Sequence, residues 1–219
     1  MRNKSIFGIV LLILFSTFIS QDNSTINKFE IKEIKIENND ILEDQELINI
    51  FSFLYNKNII FLNSYELKKN IDQNSFIEKI EIKKIFPDKI VVKVFEKEPI
   101  AILIDKYQKK YYLGKKTDLI EYKNIPKFEN LPIVEGERKS FKKLFDNLTK
   151  INFPTEEIIS YRLFNINRWN IEMADKKILK LPAKNYTESL INFINIKDET
   201  NFEKYKIFDY RLNNQLILK

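Results

Sequence analysis

The stretch IKKIFPDKIVVKVFEKEPIA, residues 82–101, constrains the fold of this chain more than any other. Two runs rich in β-branched residues flank Phe86-Pro87-Asp88-Lys89, which is the pattern of two strands joined by a turn. The second run alternates two apolar sets, Ile90, Val92 and Val94 on one face and Val91 and Phe95 on the other. Proline cannot donate to a sheet ladder, so Glu96-Lys97-Glu98-Pro99 predicts a break after the second strand.

The preceding residues predict the rest of a small module. A first strand is expected at 30–38, where Ile31, Ile34 and Ile36 give a partial alternation. Apolar residues at helical spacing then predict a helix from Asp44, with one face formed by Leu47, Ile50, Phe51, Leu54 and Tyr55. A second helix is expected to begin at Asn63, with Glu66 completing a capping box and Leu67 and Ile71 buried. Residues 29–98 therefore predict the order β-α-α-β-β, with both helices on one face of the sheet.

The remaining residues, 99–219, predict a second domain that is richer in strands. Its expected strands and hairpins lie at 100–104, 110–113, 119–122, 158–166 and 168–182, with NLPIVEG ending in a turn at 136. Amphipathic patterns predict two helices at about 138–150 and 185–196. The end of the chain predicts a hairpin with its turn at Asn213-Asn214. The whole chain is thus expected to be an α+β protein with a mixed β domain, two helices in that domain and a C-terminal hairpin.

The amino terminus predicts a membrane segment. Residues 5–21 carry no charge and follow Arg2 and Lys4. At 1.5 Å per residue they span roughly 25 Å, the short end of a transmembrane helix. We expect a cytoplasmic tail at 1–5, a transmembrane signal-anchor at 6–21, a linker at 22–28 and a periplasmic remainder. A cleaved signal peptide is the alternative, although small residues are poorly placed for cleavage.

The composition excludes several kinds of enzyme. The chain has no Cys and no His, which excludes disulfides, thiolate or imidazole catalysis and the usual zinc sites. Three glycines cannot form a glycine-rich phosphate loop. A carboxylate pair or a Ser-Lys dyad stays open, although no pattern points to one. We therefore predict no catalytic, cofactor-binding or metal-binding residues, and the net charge of +6 only weakly favours nucleic acid.

Taken together, these elements resemble the bacterial FtsQ/DivIB cell division family, in which a transmembrane segment precedes a POTRA domain and a β domain. The resemblance covers essentially the whole chain. It rests on Phe86-Pro87, the valine-rich strand and Glu96-Lys97-Glu98-Pro99-Ile100-Ala101, followed by NLPIVEG, RWNIEMADKKILKLP and FDYRLNNQLILK. One departure is the family's glycine after the first POTRA strand, where Asn38 and Asn39 stand instead. Asparagine also tolerates left-handed backbone geometry.

The resemblance implies a scaffold rather than an enzyme. Such a protein would sit in the inner membrane at the division septum, bind FtsB and FtsL, and meet other divisome proteins through its POTRA domain. Binding would occur by addition of a partner strand to the edge of the final hairpin. In the family an Arg of a D-x-R strand pairs with an acidic residue of FtsB, and Arg211 matches it here. The remaining expected contacts are Tyr210, Leu212, Asn213, Asn214 and Gln215.

Three alternatives stay open at this point. A POTRA protein that assists transport or assembly in the envelope would need further POTRA repeats or a barrel. A nucleic-acid-binding module would need aromatic residues interleaved with clustered basic ones on one face. A membrane-anchored hydrolase would have to work without His or Cys. No small-molecule substrate is expected under the scaffold hypothesis.

Overall fold

The computed structural model describes residues 8–13, 28–199, 201–212 and 215–219. Within these ranges the chain divides into two compact units between Glu96 and Lys97. The first unit contains β1 (Glu33–Glu37), α1 (Asp44–Phe51), α2 (Ser64–Ile71), β2 (Ile77–Ile85) and β3 (Lys89–Glu96). The second contains β4 (Pro99–Ile104), β5 (Lys110–Gly114), β6 (Leu119–Glu121), β7 (Ile133–Glu135), α3 (Arg138–Lys150), β8 (Ile158–Phe164), β9 (Arg168–Met173), β10 (Ile178–Lys180), α4 (Tyr186–Ile196), β11 (Ile207–Asp209) and β12 (Ile217–Leu218). The predicted α+β class is confirmed.

The predicted membrane segment at 6–21 lies largely outside the described residues. Of this segment the structure describes residues 8–13, which are helical. No helix in the described ranges is both long enough and apolar enough to span a bilayer.

The first unit has the predicted order β-α-α-β-β, and β3 is its central strand. β1 pairs with β3 in parallel, with Glu33 opposite Lys89, and β2 pairs with β3 antiparallel. Residues paired across a sheet share a face. On one face of β3 the side chains of Ile90, Val92 and Val94 are fully buried, and the helix residues Leu47, Phe51, Leu67 and Ile71 are buried as well. On the opposite face Val91 is buried, and the Lys79 and Lys93 ammonium groups lie over the Phe95 ring.

The helix boundaries agree with the sequence in part. Asn63 caps α2, since its side chain accepts a hydrogen bond from the Tyr65 N–H at 2.9 Å. The prediction that Tyr55 extends the buried face of α1 is wrong, because Tyr55 is exposed. The α-helix ends at Phe51 and continues as a 3₁₀ turn over Ser52–Leu54, which changes the angular spacing of the side chains.

Two side chains close the loop after β1. Asn38 adopts the left-handed conformation, with φ of 67°, as the sequence predicts for the position where the family has glycine. Its amide donates to the Val94 carbonyl at 2.8 Å. The Glu96 carboxylate accepts from the backbone N–H groups of Asp40, Ile41 and Leu42, each at 2.8 Å. Glu96, the last residue of β3, therefore holds this loop through three hydrogen bonds.

The second unit is organised around a nine-stranded sheet in the order β12-β11-β10-β9-β8-β7-β4-β5-β6. The strand β7 was not predicted from the sequence. It joins the two halves of the sheet by pairing in parallel with both β4 and β8. Helices α3 and α4 pack on one face, where the core is built on Phe141, Leu144, Leu148, Leu190, Phe193, Trp169 and Phe208. The predicted turn of the β9–β10 hairpin at 174–176 is confirmed.

Replacing Glu96 tests how the loop after β1 is held. In Glu96→Gln an amide N–H₂ group replaces one carboxylate oxygen and faces backbone donors. We expect a loss of about 1–3 kcal/mol in the free energy of unfolding, because hydrogen bonds to charged groups are strong and unsatisfied donors are costly. Denaturant unfolding of the full chain in detergent measures this loss.

The matched control is Glu98→Gln, two residues away. Glu98 is bound by Lys115, and both side chains are more than half exposed, at 57% and 71%. An exposed pair of this kind contributes about 1 kcal/mol or less. Equal losses in the two variants would contradict the role assigned to Glu96.

Candidate partner-binding edge

The strand β12 lies at one edge of the nine-stranded sheet and pairs only with β11 among the described strands. Ile207 and Lys219 exchange two backbone hydrogen bonds, at 3.0 and 3.1 Å. The backbone N–H and C=O groups of successive residues in an antiparallel strand point to opposite sides. The N–H and C=O of Leu218 therefore face away from β11, toward the open edge.

The side chains of this edge strand divide between the two faces of the sheet. Leu216 and Leu218 pack against the core beneath the helices. Ile217 is on the outer face and is 37% exposed. A chain segment that paired with β12 would meet the backbone of Leu218 and, on the outer face, the Ile217 side chain. The edge thus offers both main-chain hydrogen bonds and an apolar contact.

Arg211 and Asp209 form a two-pronged ion pair next to this edge. The guanidinium donates from Nε to Oδ1 at 2.8 Å and from Nη2 to Oδ2 at 2.6 Å, and the Arg211 backbone N–H also donates to Oδ1. The Asp209 side chain is only 9% exposed, whereas that of Arg211 is 41% exposed. The hydrogen bonds from Arg211 lower the pKa of Asp209, with a smaller contribution from the charge of Lys180. Arg211 is held in place by its own chain while part of it stays accessible.

The structure puts Tyr210 on the opposite side of the sheet from Arg211. Its ring is largely buried, and its hydroxyl donates to Asn192 Oδ1 on α4 at 2.6 Å. Burial raises the pKa of this hydroxyl. Successive strand residues point to opposite faces, so Asp209 turns outward when Tyr210 turns toward the helices. Among the described residues, Tyr210 lines a groove formed by α4 and the residues next to β12.

That groove has a volume of about 660 Å³. Leu212, which is 54% exposed, and Gln215 contribute to its wall. The other lining residues come from the start of α4, the segment before it and the end of the hairpin: Pro182, Lys184, Asn185, Glu188, Ser189, Asn192, Tyr210 and Leu216. Asn213 and Asn214, which are also expected to contact the partner, lie outside the described residues.

The predicted C-terminal hairpin is present but differs from its expected form. The β11–β12 ladder ends at the pair Asp209 and Ile217, so the connection spans 210–216 rather than two residues. The Gln215 N–H donates to the Leu212 carbonyl at 3.3 Å within this connection. The strands are shorter than predicted, although Tyr210 and Leu216, which lie beyond the ladder, still pack on the core.

Sequence reasoning missed Asp209 and Asn192, which contact Arg211 and Tyr210. Asp209 and Arg211 are two apart on a strand and so share a face, a signal that could have predicted their pairing. Asn192 gave no such signal, because its contact with Tyr210 joins elements 18 residues apart. Within the described residues no group of three acidic side chains is placed to hold a metal ion.

The comparisons with known proteins bear on both units. A family model described as "POTRA domain, FtsQ-type" matches residues 29–97. The cell division protein FtsQ of Rickettsia bellii is 26% identical over 195 residues, covering 87% of this chain and 72% of the relative. FtsQ of Rickettsia felis is 23% identical with the same coverage. The cell division protein DivIB of Clostridium tetani is 30% identical over 112 residues, covering 51% of this chain and 42% of the relative.

The chain is similar to the FtsQ and DivIB cell division proteins over most of its length. The resemblance drawn from the sequence is therefore confirmed, and residues 29–97 are a POTRA domain of the FtsQ type. Residues 82–101 contain β3, the last strand of that domain. The Rickettsia FtsQ matches extend beyond the POTRA domain over most of the chain.

A change of charge at Asp209 tests the ion pair. The pKa of Asp209 is lowered in the folded chain, so the pair stabilises the fold above the pKa of an unfolded aspartate, and this contribution is lost as the pH falls through the lowered value. Asp209→Asn should lower the free energy of unfolding by about 1–2 kcal/mol at pH 7. The difference from the wild type should shrink below about pH 4, where the wild-type carboxylate also begins to protonate.

The matched control is Glu135→Gln. Glu135 also binds an arginine through two hydrogen bonds, but its pair with Arg162 is about half exposed. Removing the Glu135 charge should change the free energy of unfolding by about 0.5 kcal/mol or less. A pH-independent difference between Asp209→Asn and the wild type would contradict the ionic role of Asp209.

Proposed function

We propose that this chain is a non-enzymatic scaffold of the division septum that holds FtsB and FtsL by adding a partner strand to β12. Similarity to FtsQ proteins over most of the chain, with an FtsQ-type POTRA domain, supports a role in cell division. The observation that carries the proposed binding mode is the open edge of the sheet, where the Leu218 backbone faces away from β11. An unpaired edge is a template for another chain.

Arg211 would select the partner by charge. A guanidinium has five N–H donors, and Asp209 takes two of them, from Nε and Nη2. The donors that remain can bind an acidic side chain of the partner while Asp209 keeps the guanidinium fixed. Because its orientation is set before binding, little side-chain entropy remains to be lost on association. This is the role that the resemblance implied for Arg211.

The other predicted contacts fit the same surface. Leu212 and Gln215 line the groove beside the hairpin, and Tyr210 forms part of its floor. A partner that continues beyond its added strand would lie against this groove. Contacts by Asn213 and Asn214 remain predictions from the sequence.

The proposed location is the inner membrane, with the POTRA domain and the second unit in the periplasm. This proposal is supported by the uncharged residues 5–21 and the basic residues before them. The POTRA domain would contact further divisome proteins. Neither role requires a cofactor.

Binding through the sheet edge can be tested with Leu218→Pro. Proline removes the backbone donor that faces the open edge and leaves the hydrogen bonds of Lys219 with Ile207 in place. We expect the full-length variant to keep its circular dichroism spectrum and to lose co-purification with co-expressed FtsB and FtsL.

Arg211→Gln tests the charge contact separately. It removes the cation without placing a second acid beside Asp209, and we expect partner affinity to fall about tenfold or more, as for truncation of a charged interface pair. The control is Arg138→Gln at the start of α3, an exposed arginine away from the edge, which should bind like the wild type. Wild-type binding by both Leu218→Pro and Arg211→Gln would overturn the proposed site.

The cellular role has its own test. A fluorescent protein fused to the amino terminus should concentrate at midcell in dividing cells. Uniform signal around the cell envelope throughout division would overturn the septal role, whatever the outcome of the binding experiments.

A further inference from the structure

The POTRA domain has an exposed apolar patch that the proposed partner contacts do not use. It consists of Phe29, Ile60, Phe61 and Phe86, which we call the aromatic patch. Phe61 is 81% exposed, Phe86 58% and Ile60 46%, values that are unusual for side chains of this size. Phe29 is half-buried and completes the patch beside Phe86.

Three segments of the domain bring these residues together. The Phe29 and Phe86 rings meet edge to face, with centroids 6.4 Å apart. The Ile59 N–H donates to the Phe29 carbonyl at 2.9 Å, and Lys84 Nζ donates to the Ile60 carbonyl at 3.2 Å. Phe61 follows Ile60 directly. The patch is thus formed by residues far apart in the sequence and is held by a ring contact, a backbone hydrogen bond and a lysine hydrogen bond.

The topology puts this patch at a defined end of the domain. β1 and β3 are parallel, so both strands start at the same end, with Glu33 opposite Lys89. The chain reaches that end through Phe29 and leaves β3 at the other end, at Glu96. The aromatic patch therefore surrounds the point where the amino-terminal segment joins the domain. The uncharged segment ends at residue 21, and residues 22–28 can reach at most about 25 Å when extended.

The charge around the patch is positive. The segments that form this end, 28–33, 55–61 and 83–89, contain six lysines and three acidic residues. Lys28, Lys32 and Lys84 are exposed, whereas Glu33 is bound by Lys89. Aromatic and aliphatic side chains ringed by lysines are the composition of surfaces that lie in the headgroup region of an anionic bilayer. Aromatic rings in particular favour the boundary between lipid and water.

We propose that the aromatic patch docks on the anionic lipid surface of the membrane that holds the amino-terminal anchor. Phe61 and Phe86 enter the headgroup region, and Lys28, Lys32 and Lys84 bind lipid phosphates. This inference rests on the proposed anchor, because a short linker keeps the patch within reach of the bilayer. Docking would fix the end of the POTRA domain against the membrane and limit the directions in which its other end can point.

A fluorescent label can report the contact directly. The chain has no cysteine, so Phe61→Cys gives a single site for an environment-sensitive dye. The control is Tyr107→Cys in the β4–β5 turn, where the native side chain is 77% exposed. Each labelled full chain is reconstituted into vesicles of phosphatidylethanolamine and phosphatidylglycerol or of phosphatidylcholine alone, with quencher lipids that carry spin labels near the headgroup.

We expect the label at residue 61 to shift to shorter emission wavelengths and to be quenched in the anionic vesicles, whereas the label at residue 107 stays in water. Reversing the charge of Lys28, Lys32 and Lys84 to Glu should lower the ratio of docked to undocked label by about tenfold or more. The same reversal at Lys106, Lys109 and Lys110, which are also exposed, should leave the residue-61 signal unchanged.

Flotation of the vesicles separates the two proposals. A chain that floats with anionic vesicles while its residue-61 label stays in water would overturn lipid docking and leave the anchor standing. A chain that does not float would overturn both. Quenching that depends on protein concentration and not on lipid would also overturn the proposal, since it would assign the patch to contact between copies of the chain.

Discussion

The parallel pairing of β11 with β10 is the interaction on which the C-terminal surface depends. The Ile178 N–H donates to the Lys206 carbonyl at 2.7 Å, and the Tyr210 N–H donates to the Lys180 carbonyl at 2.9 Å. Parallel neighbours need a crossover, and α4 provides it. The register of this pair turns Asp209 outward beside Lys180 and Tyr210 inward toward Asn192. A shift by one residue would exchange the two faces, so that Asp209 and Arg211 would turn toward the helices and Tyr210 would lose its hydrogen bond to Asn192.

The two ends of the described chain present different kinds of surface. At β12 the sheet leaves backbone groups open, which suits recognition of an extended segment, with the fixed Arg211 adding selectivity for an acid. At the amino-terminal end of the POTRA domain the exposed groups are aromatic rings and lysines, which suit a fluid, charged surface that has no register. The difference follows from the local fold, because an edge strand leaves backbone groups unpaired on one side, whereas the three segments at this end of the POTRA domain expose side chains.

Much of the fold was predictable because its signals are local. Alternation over 89–96 and helical spacing over 138–150 arise from residues that are close in the sequence, and both elements lie where they were expected. The strand β7 has three residues and no alternation long enough to recognise, and its place between β4 and β8 comes from contacts with distant segments. Tyr55 was assigned to a buried face because periodicity does not reveal where an α-helix tightens into a 3₁₀ turn. Of the candidate site, Arg211 followed from family resemblance, while Asn192 could not be found without the fold.

The sequence by itself determined the class of the protein: a POTRA module identified by FPDKIVVKVFEKEPIA, a strand-rich second unit, and an inventory without the residues of most catalytic centres. These properties depend on residue type and spacing along the chain, which the sequence contains in full. Only the tertiary structure decided which side chain each functional residue meets. Glu96, at the seam of the two units, binds three amides 54 to 56 residues away. Arg211, which was expected to pair with an acidic residue of a partner, already forms an ion pair with Asp209. The reason is physical, since both contacts depend on strand register and loop closure, which the whole set of packed elements determines together.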